Sequence, residues 1–150
     1  MSQSLAKNYL HITFSTKYRE PILQKEDWAE MFSYLSGALS NSQCSPIVVG
    51  GISDHIHILC VLSKNIALAR LMESIKSSSS KWIKTKSEKY ANFAWQNGYG
   101  AFSVSQSKVE VVRRYILNQE EHHYGTSFKE ELLRFLNEYQ VDYDERYLWD

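Results

Sequence analysis

A chain of 150 residues has room for one domain of ordinary size, and 43% hydrophobic with 23% charged residues excludes a disordered chain. The longest apolar or glycine run, Ile47 to Ile52, falls far short of the roughly 18 residues of a membrane span. No apolar stretch near the N-terminus ends in a small-residue cleavage site, so a cytoplasmic protein is expected. Net charge is zero, but residues 1–118 carry 14 Lys/Arg against 8 Asp/Glu and residues 119–150 carry 3 against 9. A basic body with an acidic C-terminal helix and tail can attract a polyanion locally.

In chain order, Tyr9 to Ser15 alternates, with Leu10, Ile12 and Phe14 on one face and Tyr9, His11, Thr13 and Ser15 on the other, as a half-buried strand requires. After Pro21, Trp28, Met31, Phe32, Leu35 and Leu39 recur at helical spacing until Asn41 and Ser42. Pro46 to Ile52 and Ile56 to Leu62 read as an antiparallel hairpin around Ser53-Asp54. Two isolated cysteines, Cys44 and Cys60, suit small buried hydrophobes rather than a disulfide or paired-cysteine metal scaffold. Leu68, Leu71, Ile75 and Trp82 give a second amphipathic helix, expected to kink or end at Ser77 to Ser80, whose hydroxyls compete with the helical backbone.

Residues 64–89 hold seven Lys/Arg against two Glu, which makes Lys76, Lys81, Lys84 and Lys86 the expected phosphate-contacting surface. Asn97 to Gly100 forms a turn before a fourth strand, Ala101 to Ser105. Val109, Val112 and Ile116 then mark a third helix, and Phe128, Leu132, Leu133 and Leu136 a fourth. The order βαββαβ followed by helices predicts an α+β fold, with an antiparallel sheet of ferredoxin-like, RRM-like topology and residues 1–150 as a single domain.

Two constellations could carry chemistry. Asp54-His55-Ile56-His57 sets two imidazoles two residues apart on a strand, so they leave one face together and could chelate a divalent cation. Tyr115 and Gln119 lie four residues apart on the third helix, neighbours rotated by about 40°. Tyr115 edges the apolar stripe, where its ring can lean on the core while its hydroxyl reaches a cleft. His122 and His123 continue that helix, but a favourable interaction with the helix dipole accounts for them, so they stay outside the expected ligand set.

Together, a strand His-hydrophobe-His and a later helical Tyr-Ile-x-x-Gln resemble the single-tyrosine HUH transposases. These are the IS200-like, insertion-sequence 200/605-type family, which includes REP-associated tyrosine transposases. Thr16 to Arg19, Trp95 to Ser105 and Gln119 to His123 follow that family's pattern in order. The resemblance implies an HUH endonuclease fold, His55, His57 and Gln119 as ligands of Mg2+ or Mn2+, and Tyr115 as the catalytic nucleophile. It also implies single-stranded DNA with a hairpin as partner, a covalent 5′-phosphotyrosine intermediate, and a homodimer in which a tyrosine helix can complete the neighbour's site in trans. No Walker-type phosphate loop is present, in keeping with strand transfer that needs no ATP. Two histidines favour manganese or another transition ion over magnesium, and no base for Tyr115 is evident from the sequence. The competing expectations are a non-catalytic single-stranded nucleic-acid binder stacking bases on Tyr9 and Phe102, and a hydrolase using water at a histidine metal site.

Overall fold

Among the described residues, alternation along the first strand, the two β-rich runs after Asn41 and the short run after Tyr99 produce four antiparallel strands: β1 (Asn8–Ser15), β2 (Ser45–Ile52), β3 (His55–Leu62) and β4 (Gly100–Val104). The computed structural model describes residues 2–150, so Met1 of the expected domain lies outside the description. The strands lie side by side in the order β2-β3-β1-β4. Helices α1 (Trp28–Asn41) and α2 (Leu68–Lys86) are the two crossovers, which completes the expected βαββαβ ferredoxin-like order.

Both crossover helices pack on one face. Met31, Leu35 and Leu39 of α1 and Leu71, Met72, Ile75 and Ile83 of α2 close over Ile12, Phe14, Ile56, Ile58 and Cys60. Each fully buried Leu, Ile or Phe contributes about 1.5–3 kcal/mol, so this layer dominates stability. Cys44 and Cys60 are free and buried, as small hydrophobes should be.

The serine run does not end α2. Ser77, Ser78 and Ser79 turn their hydroxyls onto the carbonyls of Ser74, Ile75 and Lys76, and Ser79 also accepts from the Trp95 indole at 2.9 Å. Bonding back along the helix satisfies the hydroxyls without breaking the ladder, and burial of Ile75 and Ile83 on either side of the run holds the helix together.

The opposite face of the sheet, expected to be half exposed, is covered as well. Helices α3 (Val109–Leu117), α4 (Gln119–His122) and α5 (Phe128–Glu138) follow β4 and close over it, so His11, Thr13, Ser15, His55 and His57 are all buried. Ile116 of α3 packs on Leu59 and Val104, whereas Phe128, Leu132, Phe135 and Leu136 of α5 pack on Phe102. Phe102 is therefore under a helix and unavailable as a stacking platform. Gly50 allows α3 its close approach, since a Cβ there would stand 2.8 Å from the Ile116 carbonyl oxygen. A last short helix, α6 (Glu145–Leu148), brings the acidic C-terminus back to the body, where the Asn97 amide donates to the Asp150 carbonyl at 2.9 Å.

Candidate metal centre and nucleophile

The tight turn at Ser53-Asp54 starts β3 with His55 and His57 on the face under α3–α5 and Ile56 and Ile58 on the face under α1 and α2, as the alternation requires. Three imidazoles meet there, because His123, just past α4, joins the pair. Each has its Nδ1 engaged. His55 Nδ1 pairs with Asp54 Oδ1 at 2.7 Å, His57 Nδ1 with His11 Nε2 at 2.7 Å, and His123 Nδ1 with the Thr126 carbonyl. Every Nε2 therefore turns inward, the arrangement that orients imidazoles toward one cation.

The inward oxygens come from Gln119 and Glu131. Gln119 Oε1 lies 3.0 Å from His55 Nε2 and 2.9 Å from His123 Nε2, and the Gln119 amide donates to the Tyr115 carbonyl at 3.3 Å. Glu131 Oε1 lies 2.7 Å from His57 Nε2, and Oε2 lies 3.2 Å from His123 Nε2. One ligand atom from each of His55, His57, His123 and Glu131 falls within 4.8 Å of the others. Three nitrogens and a carboxylate at that spacing suit a borderline divalent ion better than an oxygen-seeking one.

The Tyr115 hydroxyl sits at the edge of this cluster. It donates to Glu131, accepts from Arg134 at 3.0 Å and lies 3.2 Å from His122 Nε2. Phenol and histidines thus meet within one chain. Asn118 interrupts the helical run, so Gln119 begins α4 instead of continuing α3, yet Tyr115 and Gln119 still converge on the same spot.

Burial sets the protonation of the site. His57 is lowered to about 4 and His11 to about 3, in both cases first by loss of water, so both are neutral near pH 7. Burial raises Tyr115, and the Glu131 charge and hydrogen bond raise it further, so the resting hydroxyl is a phenol. Burial alone would raise the Glu131 carboxyl, but hydrogen bonds with His123 and His57 outweigh that and hold it below the usual carboxylate range. Glu131, His11 and His123 were absent from the expected ligand set. Glu131 did leave a signal, because it interrupts the apolar stripe of Phe128, Leu132 and Phe135 at a position that faces inward.

The four lysines of α2 lie on the other layer of the molecule. Lys76 donates to the Asn97 and Gly98 carbonyls and is lowered to about 8 by burial, a structural use of its charge. Lys86 pairs with Glu30, Lys84 reaches Ser80 at 3.4 Å, and Lys81 is exposed. Among the described residues, the α2 surface therefore keeps its unpaired basic charge at Arg70, Lys81 and Lys84.

Residues 4–119 match the family described as "Transposase IS200 like". The chain belongs to that family. Among the solved structures that share the fold are two transposases. A candidate transposase from Deinococcus radiodurans R1 superposes with a TM-score of 0.61 at 19% identity, over 79% of this chain and 98% of that one. A REP-associated tyrosine transposase bound to a REP hairpin gives 0.59 at 14% identity, over 83% of this chain and 76% of that one. No curated protein matches. The family match contains His55, His57, Tyr115 and Gln119 and stops before His123, Glu131 and Arg134. Among the described residues, no helix of this transposase-family chain is long and apolar enough to cross a membrane.

Proposed function

We propose that this chain is a metal-dependent DNA strand transferase, with residues 1–150 acting as one HUH domain that cuts and rejoins single-stranded DNA at hairpin ends through a 5′-phosphotyrosine. The observation that carries this reading is the Tyr115 hydroxyl bonded to Glu131, the carboxylate that meets three inward-facing imidazoles, in an IS200-like transposase chain. The hairpin held by the REP-associated structural relative supports a hairpin substrate.

His55, His57 and His123 with Glu131 would hold the cation, Gln119 completing the set, and the donor chemistry favours Mn2+ over Mg2+. A bound divalent ion would supply Lewis-acid polarisation of the scissile phosphate. Tyr115 Oη attacks phosphorus, a P–O bond forms, and the bond to the 3′ oxygen breaks, splitting one hard displacement into two easier ones. The phenolic proton has two acceptors in reach, Glu131 Oε2 and His122 Nε2. The leaving 3′ oxygen takes up a proton from water. The Tyr115 hydroxyl bonds to His122 and Glu131 of its own chain, which supports a site supplied whole by one chain. A homodimer would then serve to hold two DNA ends rather than to complete a site in trans.

The test is incubation of the Mn2+-loaded protein with a labelled single-stranded hairpin oligonucleotide from its own locus, followed by denaturing electrophoresis. A denaturation-resistant adduct is expected from the parent and none from Tyr115→Phe, which still binds the hairpin. An equal adduct from Tyr115→Phe would remove Tyr115 as nucleophile. Cleavage without any adduct would favour water as the attacking group.

A further inference from the structure

Helix α5 lies beyond the stretch matched to the family and brings two side chains to the Tyr115 hydroxyl. Glu131 faces the histidines. Arg134, three residues on, donates to the phenolic oxygen at 3.0 Å, its guanidinium 5.9 Å from the centre of the Tyr115 ring and 5.3 Å from that of Phe135. On that side α3 and α5 part to leave a cleft of about 590 Å³, lined by Lys108, Val111, Val112, Arg134, Phe135 and Tyr139 and opening onto Tyr115. That volume falls within the roughly 300–1,000 Å³ of clefts that seat small ligands.

A phosphorus atom bonded to Tyr115 Oη would carry its non-bridging oxygens one bond further out. A guanidinium already hydrogen-bonded to Oη reaches them with its remaining N–H groups, and a planar fork suits two phosphate oxygens. The cleft behind has the lining a nucleotide needs. Lys108 supplies a second cation against one carboxylate, Glu138, Val111 and Val112 supply apolar wall, and the partly exposed Tyr139 ring, packed on Phe102, leaves its other face for stacking.

We propose that Arg134 is a catalytic residue that grips the non-bridging oxygens of the phosphate attacked by Tyr115, and that the α3–α5 cleft seats the nucleotide attached to it. The inference rests on the strand-transfer reading above. As the Oη–P bond forms and the bond to the 3′ oxygen breaks, negative charge on the phosphate oxygens is greatest in the transition state, where a preorganised cation acts on rate more than on binding.

Arg134→Gln and Arg134→Lys are compared with the parent in single-turnover adduct formation at saturating hairpin oligonucleotide. Arg134→Gln is expected to slow the step about 100-fold with hairpin affinity within about twofold. Arg134→Lys should recover part of the rate, since it keeps the charge and loses the fork. An unchanged rate in Arg134→Gln overturns the proposal, as does a loss confined to hairpin affinity. A parent protein that forms no adduct refutes the strand-transfer reading instead. The phosphate grip is then read by titrating a 5′-phosphorylated dinucleotide, whose terminal dianion carries the extra charge that the scissile diester gains only in the transition state: weaker binding in Arg134→Gln sustains it, and equal binding overturns it.

Discussion

Lowering the pH should unfold the metal-free protein earlier than carboxylate titration alone would, because two imidazoles are buried neutral. Burial holds His57 at about 4 and His11 at about 3, against an ordinary 6.5. Between those values and 6.5 the unfolded chain binds more protons than the folded one, so stability rises with pH across that window. Each histidine's contribution is complete above 6.5 and is lost as the pH falls through 6.5 toward its folded value. At pH 4 the loss is on the order of 3 kcal/mol for each taken alone. Three effects adjust the sum. His123 is raised, because hydrogen bonding and attraction to Glu131 outweigh burial, and its titration works the other way. The 2.7 Å contact of His11 with His57 means that the two protonations interfere. Glu131, held low, adds its own loss at the acid end. A net loss of about 3–5 kcal/mol between pH 7 and pH 4 is a large part of the roughly 5–15 kcal/mol stability of a domain. Urea unfolding of chelator-treated protein at pH 7, 5.5 and 4 measures it. A midpoint that stays level or rises on acidification would refute the view that the histidines are buried and neutral.

Gly50→Ala should cost about 1–3 kcal/mol by pushing against Ile116, and should lower the adduct rate by moving α3 and Tyr115, read by unfolding and by the electrophoretic assay; an unchanged midpoint would show that α3 gives way freely. Mn2+ at about a hundred times its dissociation constant should stabilise the chelated protein by about 2.7 kcal/mol, a rise of some 5–10 °C in Tm. His57→Ala should abolish that rise and Glu131→Gln should weaken Mn2+ binding about 10–100-fold; an unaltered Glu131→Gln titration would remove Glu131 from the ligand set. Lys81→Ala and Lys84→Ala should each reduce the salt dependence of hairpin binding by about one phosphate contact, whereas an unchanged slope for both would take α2 off the DNA path.

Local rules carried much of the architecture. Alternation located β1 and the β2–β3 hairpin to within a residue or two, and helical periodicity located α1, α3 and α5. His55 and His57 were legible as a pair because a strand's period of two fixes their common face whatever surrounds them. The serine run misled because a competing hydroxyl is a local cost of a few tenths of a kcal/mol, whereas burial of Ile75 and Ile83 on either side of it is a tertiary gain several times larger.

The amino-acid order by itself determined the four strands and the places of α1, α3 and α5, the paired imidazoles and the tyrosine–glutamine spacing, since each depends on residues a few positions apart. Only the folded chain decided that a third histidine, a buried carboxylate and an arginine join them, and that the lysines of α2 lie on the other layer. These are meetings between segments far apart in sequence. They follow from α3–α5 folding back over the second face of the sheet, where removal of water makes each polar group take a partner.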